Sequence, residues 1–210
     1  MPNSQFKSFT QRVFDLAFTI PGLLILSPLL LILSIAVKAY DRGPVFYRGK
    51  RMGTEGRVFD LFKFRTMVVD ADKVGGGVTV ARDARITPVG ELLRKYKLDE
   101  LPQLFNVVSG DMSLVGPRPE DPRITAHYTS KQIAVLKLKP GITSPASLQF
   151  RDEESLLTGP DWETSYFRDI LPKKLDIEMA YFPHRTLLSD FKIIMGTIGR
   201  VLFRSLKWPR

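Results

Sequence analysis

The sequence predicts a mixed α/β fold, mostly helical with a small β element, attached to a membrane by its N-terminal segment. Three observations carry that expectation. Residues 16–37 contain no Asp, Glu, Lys or Arg, and as one helix at about 1.5 Å per residue they reach roughly 33 Å, the depth of a bilayer core. Val45-Phe46-Tyr47 and Val58 to Phe64 are β-prone runs separated by Gly49, Gly53 and Gly56, the pattern of a small hairpin. The later stretches show helical periodicity interrupted by Pro and Gly. The composition, 44% apolar and 25% charged over 210 residues, excludes a disordered chain and a polytopic membrane protein. With no cysteine and only His127 and His184, disulfide scaffolds, iron–sulfur clusters, thiolate zinc sites and histidine-rich metal sites are excluded too, and a reducing compartment fits.

The apolar run is too long for the core of a signal peptide, about 7–15 residues. Ser27-Pro28 falls near its midpoint, where proline removes a helical hydrogen bond and collides with the preceding turn. Each half of about 11 residues, roughly 16 Å, reaches only the middle of the hydrocarbon. Lys7 and Arg12 precede the run, and Lys38, Arg42, Arg48, Lys50 and Arg51 follow it. Cationic flanks prefer the cytoplasmic side, so both ends belong on one face. The expectation for residues 1–42 is a re-entrant helix, broken at Ser27-Pro28, with Ser27 satisfying freed backbone groups. A kinked single span is the alternative. Residues 43–210 then form a cytoplasm-facing domain.

Within that domain Gly75-Gly76-Gly77 lacks the surroundings of a phosphate-binding loop or dinucleotide fingerprint, so no cofactor role follows. Val89 to Lys97 reads as a short helix with a basic face, and Pro102 opens another that runs to about Val108, before Gly110. Pro117-Arg118-Pro119 must be extended, because proline restricts the residue before it. Helical stretches are expected near Thr129–Leu138 and Asp161–Asp169. The last helix, Leu188 to Leu206, puts Phe191, Ile194, Met195, Ile198, Val201 and Leu202 on one face. Lys192, Arg200, Arg204 and Lys207 lie on the other. With Trp208 at its end it reads either as an interfacial membrane helix or as a helix packed on the core.

The net charge of +9 admits nucleic acid, an anionic membrane surface or a polyphosphate substrate as partner. Asp99-Glu100 narrows the choice. Adjacent carboxylates repel unless a cation or a helix N-terminus stabilises them, and a hard divalent ion takes carboxylate and phosphate oxygens together. Taken alone, an acidic pair before a helix is usually a solvated terminus. Its company changes that: Lys63-Phe64-Arg65-Thr66-Met67, Asp83-Ala84-Arg85-Ile86-Thr87, and the run from Gly110 to Glu120.

From about residue 10 to about 200, with the Ser-Pro pair and Lys139 to Thr143 included, this series resembles the bacterial sugar transferases known as monotopic phosphoglycosyl transferases. The resemblance implies transfer of a phosphosugar from a UDP-sugar to undecaprenyl (polyprenol) phosphate, with release of UMP. That is the first membrane step of glycoconjugate biosynthesis, as for exopolysaccharide or lipopolysaccharide, at the cytoplasmic face of the bacterial inner membrane. It implies Asp99 as nucleophile and partial ligand of Mg²⁺, or alternatively Mn²⁺, with a covalent phosphosugar–Asp99 intermediate. Glu100 would be its partner, as a base or a group of the metal shell. Lys63, Arg65, Arg94, Pro117, Arg118, Pro119 and Arg151 are the implied substrate-binding positions. The implied partners are the UDP-sugar, undecaprenyl phosphate and membrane lipid, without nucleic acid, for a monomer or homodimer. In one departure, Ser144-Pro145-Ala146-Ser147 stands where many members continue with Gly and an Ala-Gln-Val-Asn-Gly-Arg segment, which bears on the sugar more than on the reaction.

Two other classes compete. A membrane-tethered protein binding anionic lipid or nucleic acid without catalysis explains the charge and leaves the dyad unexplained, and its binding would weaken steeply with salt. A glycosidase also needs two carboxylates, but about 5 Å apart or more and normally from separate segments.

Overall fold

The computed structural model describes residues 3–71, 83–151 and 162–203. Helix α1, Asn3–Asp41, holds the whole apolar run and contains a window of mean hydropathy 2.5. By length and composition it is able to cross a membrane. The two half-helices expected around Ser27-Pro28 do not form: α1 continues through both Pro21 and Pro28. Ser27 Oγ donates to the Leu24 carbonyl at 2.8 Å, the carbonyl that a proline at position 28 leaves without its helical donor.

Strand β1, Phe46–Met52, pairs antiparallel with β2, Val58–Phe64, in a register running from Phe46↔Phe64 to Met52↔Val58. The expected hairpin is present, with a first strand longer than its apolar start suggested. Helix α2, Pro88–Lys95, begins at a Thr87 cap whose hydroxyl accepts from Gly90 N, and α3, Gln103–Ser109, ends where Gly110 takes φ 95°. Asn106 is fully buried. It accepts from Phe62 N at 2.9 Å and donates to Asp60 O at 2.8 Å, which satisfies the free edge of β2 and fixes α3 against it.

Strand β3, Ser113–Val115, pairs in parallel with β4, Gly141–Thr143. Between them lie the extended Pro117-Arg118-Pro119 segment, the single turn α4, Pro122–Thr125, and a 3₁₀ segment, Gln132–Lys137, where a longer helix was expected. Helix α5, Pro145–Gln149, follows a Ser144 cap. Helix α6, Trp162–Ser165, passes through a π-helical turn, Tyr166–Ile170, into α7, Leu171–Tyr181. The helix thus runs well past the Asp169 end expected from sequence, with Pro172 in the first turn of α7. Proline in a first turn sacrifices no intrahelical bond, so the helix restarts there.

Helix α8, Leu187–Leu202, opens on a reciprocal Thr186–Ser189 capping box. It buries Asp190 and Ile193 and exposes Leu188, Phe191, Met195 and Ile198, so it is a core helix that keeps an apolar stripe outside. Phe191 meets Phe18 of α1 with ring centroids 5.9 Å apart. The main core joins Leu61, Val107, Met112, Val115, Leu148, Phe182 and Ile193. Gly75 to Gly77, Asp161, Arg204, Lys207 and Trp208 lie outside the described residues.

Both ends of α1 are fastened to this one domain. Near its start Arg12 donates to the carbonyls of Val107 and Val108 in the last turn of α3, and Asp15 accepts from Leu114 N at 3.1 Å. Near its end Leu33 and Val37 pack on Phe64 and Leu93, and Asp41 pairs with Arg65. The middle, including Leu24, Ile25, Leu31 and Ile32, is exposed.

Candidate active site

The acidic dyad forms its own 3₁₀ turn, Leu98–Glu100, between α2 and α3. Lys97 enters it with φ 56° and ψ 26°. Leu98 and Leu101 pack beside the dyad on Leu33, Val37, Phe64 and Leu93, so α1, β2 and α2 jointly support the turn. Asp99 is buried, and its Oδ1 has no hydrogen-bond partner among the described residues. Burial pushes its carboxyl up, Lys63, Lys97 and Arg94 pull it down, and the neighbouring charge of Glu100 adds to the rise.

Glu100 is held differently. Its Oε1 accepts from Lys63 Nζ at 2.9 Å and from Arg118 Nη2 at 3.0 Å. Burial opposes its charge, yet Arg118 and Lys63 hold the carboxyl well below the usual range. It therefore stands as an ionised clamp on two cations, a poor general base in this arrangement.

Arg118 is aimed by a segment pinned on both flanks. Gly116 N donates to Thr143 O and Gly141 N to Pro117 O, each at 2.9 Å, and Met52 N donates to Glu120 O at 2.9 Å. The Glu120 carboxylate accepts from Tyr166 Oη at 3.3 Å and lies 3.5 Å from Lys174 Nζ. A small cavity beneath the segment is walled by Pro117, Pro119, Lys174 and Glu178.

Of the other implied positions, Arg94 adds its charge to the field at Asp99. Arg65 is a correction. It is buried, pairs with Asp41 and donates from Nε to Pro44 O at 2.7 Å, so its fork joins the end of α1 to the end of β2 and is not turned to the dyad. Arg151 faces a larger cavity of about 450 Å³.

That cavity opens between the dyad turn and two helices. Phe18, Gly22 and Leu26 of α1 form one wall, and Ile194, Ile198 and Val201 of α8 form another. Thr143 and Ser147 contribute hydroxyls. Five cations line it, Lys97, Arg118, Arg151, Lys174 and Arg200, against Glu100 as the one carboxylate among the described lining residues. Asp99, next to Glu100 in the same turn, is not among the lining residues. Such a chamber suits a phosphate-bearing molecule with an apolar part.

Among the described residues no third carboxylate, histidine or cysteine joins the dyad to make a protein-built metal cage. A hard divalent ion held by a carboxylate completes its shell with phosphate oxygens and water, and the buried, unpartnered Asp99 Oδ1 fits that use. Asn106, Lys174, Glu178 and Arg200 were not singled out from sequence. Lys174 and Glu178 belong to α7, an element with no clear sequence signal, while Arg200 was visible only as one charge on a polar face.

A model of the bacterial sugar transferase family matches residues 6–204. The chain is 36% identical over 209 residues to the undecaprenyl-phosphate glucose phosphotransferase of Komagataeibacter xylinus, covering 96% of this chain and 37% of that protein. It is 38% identical over 196 residues to the UDP-glucose:undecaprenyl-phosphate glucose-1-phosphate transferase of Xanthomonas campestris pv. campestris, covering 90% and 38%. It is 37% identical over 193 residues to the uncharacterized sugar transferase EpsL of Bacillus subtilis (strain 168), covering 91% and 87%. The chain thus spans well under half the length of the first two relatives and most of the third. Since the matched region holds the dyad turn, the Arg118 segment and both walls of the cavity, the chain belongs to the bacterial sugar transferase family.

Proposed function

We propose that this chain moves a phosphosugar from a UDP-sugar to undecaprenyl phosphate or another polyprenol phosphate and releases UMP, by way of a phosphosugar ester on Asp99. The supporting observation is the cavity in which Glu100, Arg118 and Lys97 face an apolar wall made by α1 and α8. A nucleotide diphosphate needs the cations, and a polyprenol chain needs the wall. The name of the Xanthomonas relative carries both a UDP-sugar and undecaprenyl phosphate, and that of the Komagataeibacter relative carries undecaprenyl phosphate.

In the first half-reaction an Asp99 carboxylate oxygen attacks the phosphorus that carries the sugar. The bond from that phosphorus to the bridging oxygen breaks, and UMP leaves with the electron pair. In the second, an oxygen of the lipid phosphate attacks the same phosphorus, and Asp99 departs as carboxylate. Two steps avoid holding two polyanions in the site together. Glu100 holds Lys63 and Arg118 ready for the phosphates, and the planar fork of Arg118 matches phosphate oxygens. Mg²⁺ or Mn²⁺ held by Asp99 and substrate oxygens would supply neutralisation of the diphosphate.

The attachment of both ends of α1 to one domain supports a re-entrant placement, with the domain on the cytoplasmic face of the bacterial inner membrane. The test is a panel of UDP-sugars with polyprenol phosphate, scored by UMP release with and without a chelator. At least one sugar should give UMP, and chelation should stop it. No release from any UDP-sugar in the presence of Mg²⁺ would leave a lipid-binding protein without catalysis.

A further inference from the structure

Besides the groups at the dyad turn, the cavity is lined by two further guanidiniums, those of Arg151 and Arg200. Arg151 Nη1 donates to the carbonyl of Arg200, and Arg200 Nη1 donates to the carbonyl of Leu148. Each guanidinium is thereby braced on the segment that carries the other, which ties the exit of α5 to the last turn of α8. Both side chains line the cavity. Around them on α8 are Ile194, Ile198 and Val201, facing Phe18, Gly22 and Leu26 of α1. Ile198 is also exposed, continuing the outer stripe of Leu188, Phe191 and Met195.

We infer that Arg151 and Arg200 form the seat of the lipid acceptor's phosphate, with the lipid chain running along the α1 and α8 wall. This rests on the transfer reaction proposed above and assigns its second substrate to specific residues. A phosphomonoester is a compact, multiply charged anion, and two restrained guanidinium forks match it better than point charges do. At the dyad turn Glu100 already offsets Lys63 and Arg118 through its Oε1. A UDP-sugar has no long apolar part, so the wall beside Arg200 serves the lipid.

The experiment uses the full chain in phosphatidylcholine nanodiscs and the variants Arg200→Gln and Arg200→Lys. Three quantities are read: the UMP burst with UDP-sugar alone, the KM for undecaprenyl phosphate in the complete reaction, and undecaprenyl phosphate binding without donor. Arg200→Gln should raise the lipid KM and weaken lipid binding by about tenfold or more, as loss of a charge-assisted contact does, while the burst changes by less than about twofold. Arg200→Lys, which keeps the charge and a donor, should recover part of the lipid affinity and serves if Arg200→Gln does not fold. Inorganic phosphate should not displace the bound lipid. Unchanged lipid binding in both variants, an equal loss in the burst, or displacement by phosphatidic acid as effective as by undecaprenyl phosphate would overturn the assignment. A wild type that gives no burst but loses lipid binding on Arg200→Gln would contradict the transfer reaction and not this seat.

Discussion

Lys97 holds a left-handed backbone immediately before the dyad, a conformation that costs a non-glycine residue of order 1 kcal/mol or more. Its side chain lines the cavity, so the same residue shapes the turn that buries Asp99 and adds a cation to the cavity. Deeper in the domain, Glu178 is buried with its Oε1 accepting from Ser144 Oγ at 2.5 Å. Burial raises its carboxyl from 4.5 to about 7, against the pull of the Ser144 hydroxyl and the Lys174 charge. A folded-state value above the unfolded one means that between about pH 4.5 and 7 the native protein keeps a proton that the unfolded chain releases. Stability attributable to this group therefore falls as pH rises through that window and is level above it. Glu178→Gln should remove the slope and make the protein more stable at pH 8 than wild type, by roughly 1–3 kcal/mol. Denaturant unfolding of both proteins at pH 5 and pH 8 checks this, and curves that shift in parallel would show that Glu178 is ionised in the fold.

The contact between β3 and β4 places the Arg118 segment. A Cβ on Gly141 would lie 2.0 Å from Gly116 N and 2.5 Å from Gly116 Cα, so Gly141→Ala must push apart the backbone one residue before Pro117. Arg118 should lose its register with Glu100, and kcat/KM should fall by about tenfold or more, with a lowered melting temperature. A variant of full activity would mean that this crossing does not set Arg118. The extended Pro117-Arg118-Pro119, the hairpin and the helix after Pro102 were legible in the sequence, because proline restrictions and β patterning act locally. The continuity of α1 was not, since a Ser27 hydrogen bond to Leu24 O replaces what Pro28 removes. Nor was α7, which carries Pro172 in its first turn. Among the positions that the family resemblance implies, the structure brings Lys63 and Arg118 onto Glu100, beside Asp99. Arg65 was misassigned because nothing local reveals that its partner is Asp41, at the far end of α1.

Across the whole molecule, the apolar run begins and ends on one domain, and cations flank it on both sides. A tag placed before residue 1 and a tag placed after residue 210 should therefore be reached from the cytoplasm and not from the periplasm. Periplasmic access to the N-terminal tag would replace the re-entrant placement with a single span. The cavity runs from the apolar helix α1 to Glu100 of the dyad turn, and on the proposed reaction lipid and nucleotide substrates both reach the buried carboxylate of Asp99 next to it. On the proposed mechanism this carboxylate carries the phosphosugar between them. Intact-protein mass spectrometry of the chain mixed with Mg²⁺ and its UDP-sugar, without lipid, tests it most directly. One sugar phosphate should be added, peptide mapping should place it on Asp99, polyprenol phosphate should discharge it, and Asp99→Asn should acquire none while remaining folded. An adduct on another residue, or UMP release only when the lipid is also present, would contradict the account.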